Sequence, residues 1–226
     1  MFDKKILQAP DPIFKHFIHG MQQRCDGFEP TSEDDMRYVF LHSLECLAGT
    51  EPNWVRLGYR VYQNDRLKMD LVVRIPGTHY FACEFKAHIG WHQQPQREHA
   101  WLVLKDLSRL ALVSRQWGST ATHCPSYFVY LHTPKMLEFF RRKTPHLGMV
   151  LDAAVGHEAR FDVLSELEIK LGSGNKPIRG RRKPPHELEL HEGTAVCVAR
   201  ECVVEDEARR WQLAIFKILG DVYPDY

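Results

Sequence analysis

Apolar positions along the first third of the chain fall into helical rhythm. In DPIFKHFIHGMQQ, Phe14, Phe17, Ile18 and Met21 recur three and four residues apart, behind Asp11 as N-cap and Pro12 at the first helical position. TSEDDMRYVFLHSLECLAG repeats the pattern with Met36, Val39, Phe40, Leu44 and Leu47; Thr31 or Ser32 caps it, acids fill the first turn and Gly49 ends it. The rhythm then changes to strand length. VRLGYRVYQ (55–63), RLKMDLVVRI (66–75) and YFACEFKA (80–87) read as consecutive strands, most simply a three-stranded meander.

Helical period returns from Arg97 to about Arg115, with Leu104, Leu107, Leu110 and Ala111 on one face. SYFVYLH (126–132) reads as a short apolar strand and PKMLEFFRRK as the helix after it. ARFDVLSELEIKL fits helix or strand, GTAVCVARECVVED contains a strand, and EARRWQLAIFKILG reads as a closing amphipathic helix stopped by Gly220. The order α, βββ, α, β, α predicts a mixed α/β or α+β fold, a central mixed sheet flanked by helices in one main domain.

Alternation in the two central strands carries the chemistry. Leu67, Met69, Leu71, Val73 and Ile75 share one face of the first, leaving Lys68, Asp70, Val72 and Arg74 on the other; in the second, Phe81, Cys83 and Phe85 oppose Ala82, Glu84 and Lys86. A plain two-residue turn at Pro76-Gly77 would set Asp70 against Cys83 and mismatch the apolar faces. A three-residue loop, Pro76-Gly77-Thr78, or an equivalent bulge pairs Ile75 with His79 and sets Asp70 opposite Glu84. Two facing carboxylates repel, and a divalent cation between them removes that penalty, since Mg²⁺ is held by one or two carboxylates plus waters and phosphate oxygens. Lys86, on the same face, is placed to hold a water or phosphate oxygen beside it. The plainer reading is a solvated hairpin face on which Lys68 and Lys86 pair weakly with the acids.

Asp70, a hairpin, then Glu84-Phe85-Lys86 followed by a helix resembles the core of the PD-(D/E)XK nuclease superfamily, the restriction-endonuclease-like fold. SEDDMR resembles the start of that family's first core helix, whose acid joins the site, which makes Glu33 the candidate ahead of Asp34. The resemblance spans about residues 31 to 132; Met69 stands where the family usually has Pro, and no Gln-x-x-x-Tyr follows on the next helix. It implies Mg²⁺ or Mn²⁺ bound by Asp70, Glu84 and the Phe85 backbone carbonyl, with Glu33 as an outer or second-metal ligand. Lys86 would orient the attacking water, and the reaction would be phosphodiester hydrolysis, with DNA as the expected substrate. Arg97, Lys105 and Arg109 on the following helix are candidate phosphate contacts, and Trp91 or Trp101 candidate stacking platforms; the plainer reading puts Trp101 in the core and makes Lys105 and Arg109 a solvated face with Asp106 as partner. The competing readings are a catalytically inactive nucleic-acid-binding or assembly module, and a subunit that docks a partner through Trp211, Ile215 and Ile218. Residues 145 to 226 match no motif.

Composition narrows the field further. At 44% apolar and 26% charged over 226 residues the chain is ordinary globular material, and a net charge of +1 leaves nucleic-acid binding to local patches: RRK at 141–143, and KPIRGRRK at 176–183 with Arg179, Arg181 and Arg182. No signal-peptide core or membrane-length apolar run appears, which predicts a cytoplasmic protein. Six cysteines without a C-x-x-C pair read as thiols. His88 with His92, and Cys197 with Cys202, lack zinc spacing, and hydrolase elbows, Walker loops and dinucleotide fingerprints are missing. A two-fold dimer would suit cutting of both strands.

Overall fold

The computed structural model describes residues 4–27, 32–49, 54–60, 68–75, 78–89, 97–118, 125–162, 191–206 and 209–220. Its elements are α1 (Lys4–Gln8), α2 (Asp11–Gly27), α3 (Glu33–Ala48), β1 (Val55–Arg60), β2 (Lys68–Ile75), β3 (Thr78–His88), α4 (Arg97–Gly118), β4 (Ser126–His132), α5 (Pro134–Lys143), α6 (Pro145–Asp152), β5 (Glu158–Phe161), β6 (Gly193–Glu205) and β7 (Arg210–Gly220). The seven strands form one mixed sheet in the order β1-β2-β3-β4-β7-β6-β5, with only β3 and β4 parallel. A parallel pair needs a crossover, which α4 supplies.

Helices cover both faces of the sheet. On one side α1, α2 and α3 bury Phe17, Met36, Phe40 and Leu44 against Leu71, Val73, Phe81, Cys83 and Phe85. On the other, α4, α5 and α6 bury Val103, Leu107, Leu110, Phe140 and Leu147 against Val72, Ala82, Phe128, Tyr130 and Phe216. Burial of apolar area at about 25 cal/mol per Å² makes these two layers the main source of stability. No helix of the described residues is long and apolar enough to cross a membrane.

The N-terminal helices form as their punctuation dictates. Ser32 occupies the N-cap of α3, three acids fill its first turn, and Gly49 closes it at φ 60, returning its N–H to Glu45 O at 3.2 Å. Asp11 is already inside α2 rather than capping it, and the carbonyl of Pro10 accepts from Phe14 N at 3.0 Å.

Two expectations need correction. The face of β2 and β3 that carries Asp70 and Glu84 is not a solvated face: α4 roofs it, and Val72 and Ala82 are fully buried there with Met69 beside them. The closing segment is strand β7, not a helix, so Trp211, Ile215 and Ile218 are core residues at 3%, 0% and 0% exposure and form no docking stripe. β7 pairs with β4 along its length, so the part of the chain beyond the motifs completes the same sheet.

Candidate active site

The site lies where β2 and β3 part. Their ladder opens with Ile75 facing Thr78 and shifts register between Val73 and Arg74, then runs Val73↔Phe81, Val72↔Ala82 and Leu71↔Cys83. The bulge, rather than a three-residue loop, sets the pairing, and Ile75 does not face His79. Continued one step, the same register brings Asp70 level with Glu84. Beyond Cys83 the partner of β3 on its β2 edge is a side chain: the Phe85 N–H donates to Asp70 Oδ2 at 2.9 Å.

Alternation along β3 then separates anchor from chemistry. The Phe85 ring is fully buried among Phe17 and Phe40, with centroids 6.4 and 5.5 Å away. Gripped on that side, β3 presents Glu84 and Lys86 to the opposite face, under α4. Two helices from opposite layers complete the group. The N-terminal end of α3 brings Glu33, whose Oε1 accepts from Lys86 Nζ at 2.9 Å, and Arg37, whose Nη2 donates to Asp70 Oδ1 at 2.8 Å. Arg37 also pairs with Asp34, and lies 3.8 Å from Glu33. From α4 come Asp106, 3.4 Å from Lys86 Nζ, and Arg109, 3.1 Å from Glu84 Oε2 and 2.5 Å from Asp106 Oδ1. Arg109 also donates to the Lys68 carbonyl at 3.2 Å, tying α4 to β2.

Four acids (Glu33, Asp70, Glu84, Asp106) and three cations (Arg37, Lys86, Arg109) thus share one cluster. Glu84 is 2% exposed. Burial pushes its carboxyl well above the usual range; Arg109 opposes this, while Asp106 and Asp70 add to it. For Lys86 burial acts downward, but Asp106 and Glu33 more than offset it and raise the ammonium, which is therefore charged at neutral pH. The Oε1 of Glu84 is buried without a hydrogen-bond partner. Buried polar atoms are rarely left so, and an orphan among carboxylates is an acceptor suited to a hard cation. Among the described residues no three His, Cys, Asp or Glu side chains form a metal cage. The fit is therefore to a two-carboxylate site, Asp70 and Glu84 with the Phe85 carbonyl, which suffices for an ion that keeps several waters.

Of the residues singled out from the sequence, Asp70, Glu84, Lys86 and Glu33 come together. Arg109 lies in the cluster, held by acids rather than turned to solvent. Arg97 begins α4, and Trp101 packs partly buried against the second core. Trp91, Arg179, Arg181 and Arg182 lie outside the described residues. In the 141–143 patch, Arg141 pairs with Asp152 and Arg142 with Glu138. Sequence reasoning missed Arg37 and misplaced Asp106, which is 4% exposed rather than on a solvated face. A signal existed for the second: Asp106 is in step with Val103, Leu110 and Val113 on the apolar stripe of α4, and an acid on such a stripe faces the interior.

Beyond Lys86 the same face continues into a buried polar line. His88 Nδ1 lies 2.9 Å from the Tyr130 hydroxyl, and the Tyr130 ring stacks on His132 at 4.8 Å. Burial lowers His88 to about 3, helped by His99, Lys86 and His132, and lowers His132 to about 4. Both rings are neutral at physiological pH.

Compared with protein families, with curated proteins and with solved structures, the chain matches none of them.

Proposed function

We propose that the protein is a metal-dependent phosphodiester hydrolase with a restriction-endonuclease-like core, acting on DNA. The observation that carries this reading is the pairing of Asp70 and Glu84 at the parting of β2 and β3, with the Glu84 Oε1 buried and unpartnered and Lys86 one alternation further on. Asp70, Glu84 and the Phe85 carbonyl would hold Mg²⁺ or Mn²⁺, with Glu33 as outer ligand, and the ion supplies positive charge against the charge that develops on the phosphate. Lys86, kept protonated by Glu33 and Asp106, is no base at neutral pH; it orients the attacking water and steadies the phosphate oxygens. The water oxygen would bond to phosphorus as one ester P–O bond breaks, the water giving up a proton to solvent and the departing oxygen taking one up, to leave a phosphomonoester and a free hydroxyl.

The test is cleavage with Mg²⁺ or Mn²⁺ of linear duplex, supercoiled, single-stranded and branched DNA, beside Asp70→Asn and Lys86→Ala proteins of matched fold. Cleavage by the wild type that both variants lose supports the reading. A second reading, a non-catalytic DNA-binding or assembly module, is favoured by one observation: arginines already neutralise Asp70 and Glu84, as in a structural ion-pair network. DNA retained equally with chelator, and cut under no condition, would decide for it.

A further inference from the structure

The two acids on which the proposed metal site depends are each met by a guanidinium. Arg37 Nη2 sits on Asp70 Oδ1 at 2.8 Å and Arg109 Nη2 on Glu84 Oε2 at 3.1 Å. Neither contact has the two-pronged form of a permanent arginine–carboxylate pair. The second oxygen of Asp70 belongs to the Phe85 N–H; that of Glu84 has no N–H donor, the Glu84 carboxyl standing beside that of Asp70. The Nε atoms of Arg37 and Arg109 are themselves buried without hydrogen-bond partners. Each guanidinium thus holds its carboxylate by one nitrogen and leaves part of itself unsatisfied.

Each arginine also has a second acid within reach. Arg37 is already paired with Asp34 and stands 3.8 Å from Glu33; Arg109 is 2.5 Å from Asp106 and bonded to the Lys68 carbonyl. Leaving Asp70 or Glu84 therefore strands neither cation, which removes the usual barrier to breaking a buried ion pair. A dication seated on Asp70 and Glu84 would also stand against both guanidinium groups and repel them toward those second acids.

We infer that Arg37 and Arg109 are exchangeable internal counter-ions: they occupy Asp70 and Glu84 while the site is metal-free, and a divalent cation binds by displacing them onto Asp34, Glu33 and Asp106. The inference rests on the proposed metal site and adds the competitor that sets its affinity. It makes Arg37→Gln and Arg109→Gln gain-of-affinity changes, contrary to what loss of an organising residue would do.

The experiment is Mn²⁺ titration by calorimetry on the full chain, in the wild type, in Arg37→Gln, in Arg109→Gln and in Asp70→Asn. Tighter Mn²⁺ binding by about tenfold in the two arginine variants, with binding lost in Asp70→Asn, is the expected result, a coupling of ordinary size for two ligands that exclude one another. Wild-type binding with unchanged or weaker affinity in both arginine variants overturns the inference and leaves the metal site standing. No Mn²⁺ binding by any of the four proteins overturns both. Should either variant fail to fold, the wild type still decides: in ¹⁵N spectra of arginine side chains, the Arg37 and Arg109 Nε–H signals shift on Mg²⁺ addition if they are displaced. Signals that stay in place while Mg²⁺ binds refute displacement.

Discussion

Replacing Glu84 by Gln should stabilise the metal-free protein while abolishing the proposed activity. Glu84 is 2% exposed, and its one close cationic partner, Arg109, lies at 3.1 Å. Its ionised form carries the cost of burial and the repulsion of Asp106 and Asp70. Glutamine keeps the shape and removes the charge, and its amide supplies a donor among acids that now have too few. Arg109 loses one contact but retains Asp106 and the Lys68 carbonyl. Removing one member of a buried pair destabilises where the other is left unpaired; Arg109 is not, so the variant should gain at alkaline pH, by about 1.4 kcal/mol for each unit by which the folded carboxyl value exceeds the unfolded one.

The gain must depend on pH, and its sign follows from linkage. A carboxyl whose folded value lies above its unfolded one favours the fold while protonated, and that contribution is lost as pH rises through the folded value. Wild type therefore loses about 1.4 kcal/mol per pH unit across that window, and the Glu84→Gln protein, with nothing to titrate at this position, does not. Urea unfolding in EDTA, followed by tryptophan fluorescence at the unfolded carboxyl value of about 4.3 and again at alkaline pH, measures the gap at each. It should be small at the lower pH and wide at the higher. A variant less stable than wild type at the higher pH, or a gap equal at both, would refute the reasoning that Glu84 is held at an electrostatic cost.

Tyr130→Phe removes the hydroxyl beside His88 Nδ1 and strands a ring nitrogen in a 5% exposed side chain, so urea unfolding should register a loss of about 1–3 kcal/mol. Gly220→Ala places a methyl against the carbonyl of Ala111 on α4, where backbone meets backbone; a loss of at least about 2 kcal/mol, read as a fall in Tm, is expected, with cleavage reduced because α4 carries Asp106 and Arg109. His88 and His132, lowered to about 3 and about 4, bind protons in the unfolded chain at pH values where the fold does not. Their stabilisation is complete above about pH 6.5 and declines below it by about 1.4 kcal/mol per unit for each ring, with Glu84 offsetting part of the loss while it protonates. A Tm that rises as pH falls from about 6.5 to about 4.5 would contradict this.

How much of this architecture was legible in the chain depends on where each element sits. α2, α3, α4 and α5 each pack one stripe against the sheet and keep the other side polar, so their period is written in Phe14/Phe17/Met21 or Met36/Phe40/Leu44. β7 is different: as an inner strand roofed on both sides it buries Trp211, Leu213, Ala214, Ile215, Phe216 and Ile218. Alternation disappears in such a strand, and Trp211, Ile215 and Ile218 imitate a helical stripe. The covered face of β2 and β3 was equally hidden, because the helix that roofs it belongs to the later crossover to β4.

The site divides along the same line. Alternation and the register shift align Asp70 with Glu84 and set Lys86 beside it, since these are short-range consequences of strand geometry in one hairpin. The sequence by itself determined that alignment and the helices on either side of it. Only the tertiary structure decided that Asp70 meets Arg37, that Glu84 meets Arg109, and that Lys86 lies between Glu33 and Asp106. Those contacts join α3 from one layer to α4 from the other around the end of a strand pair, and the distance between such partners is set by how two cores pack, which no local pattern encodes.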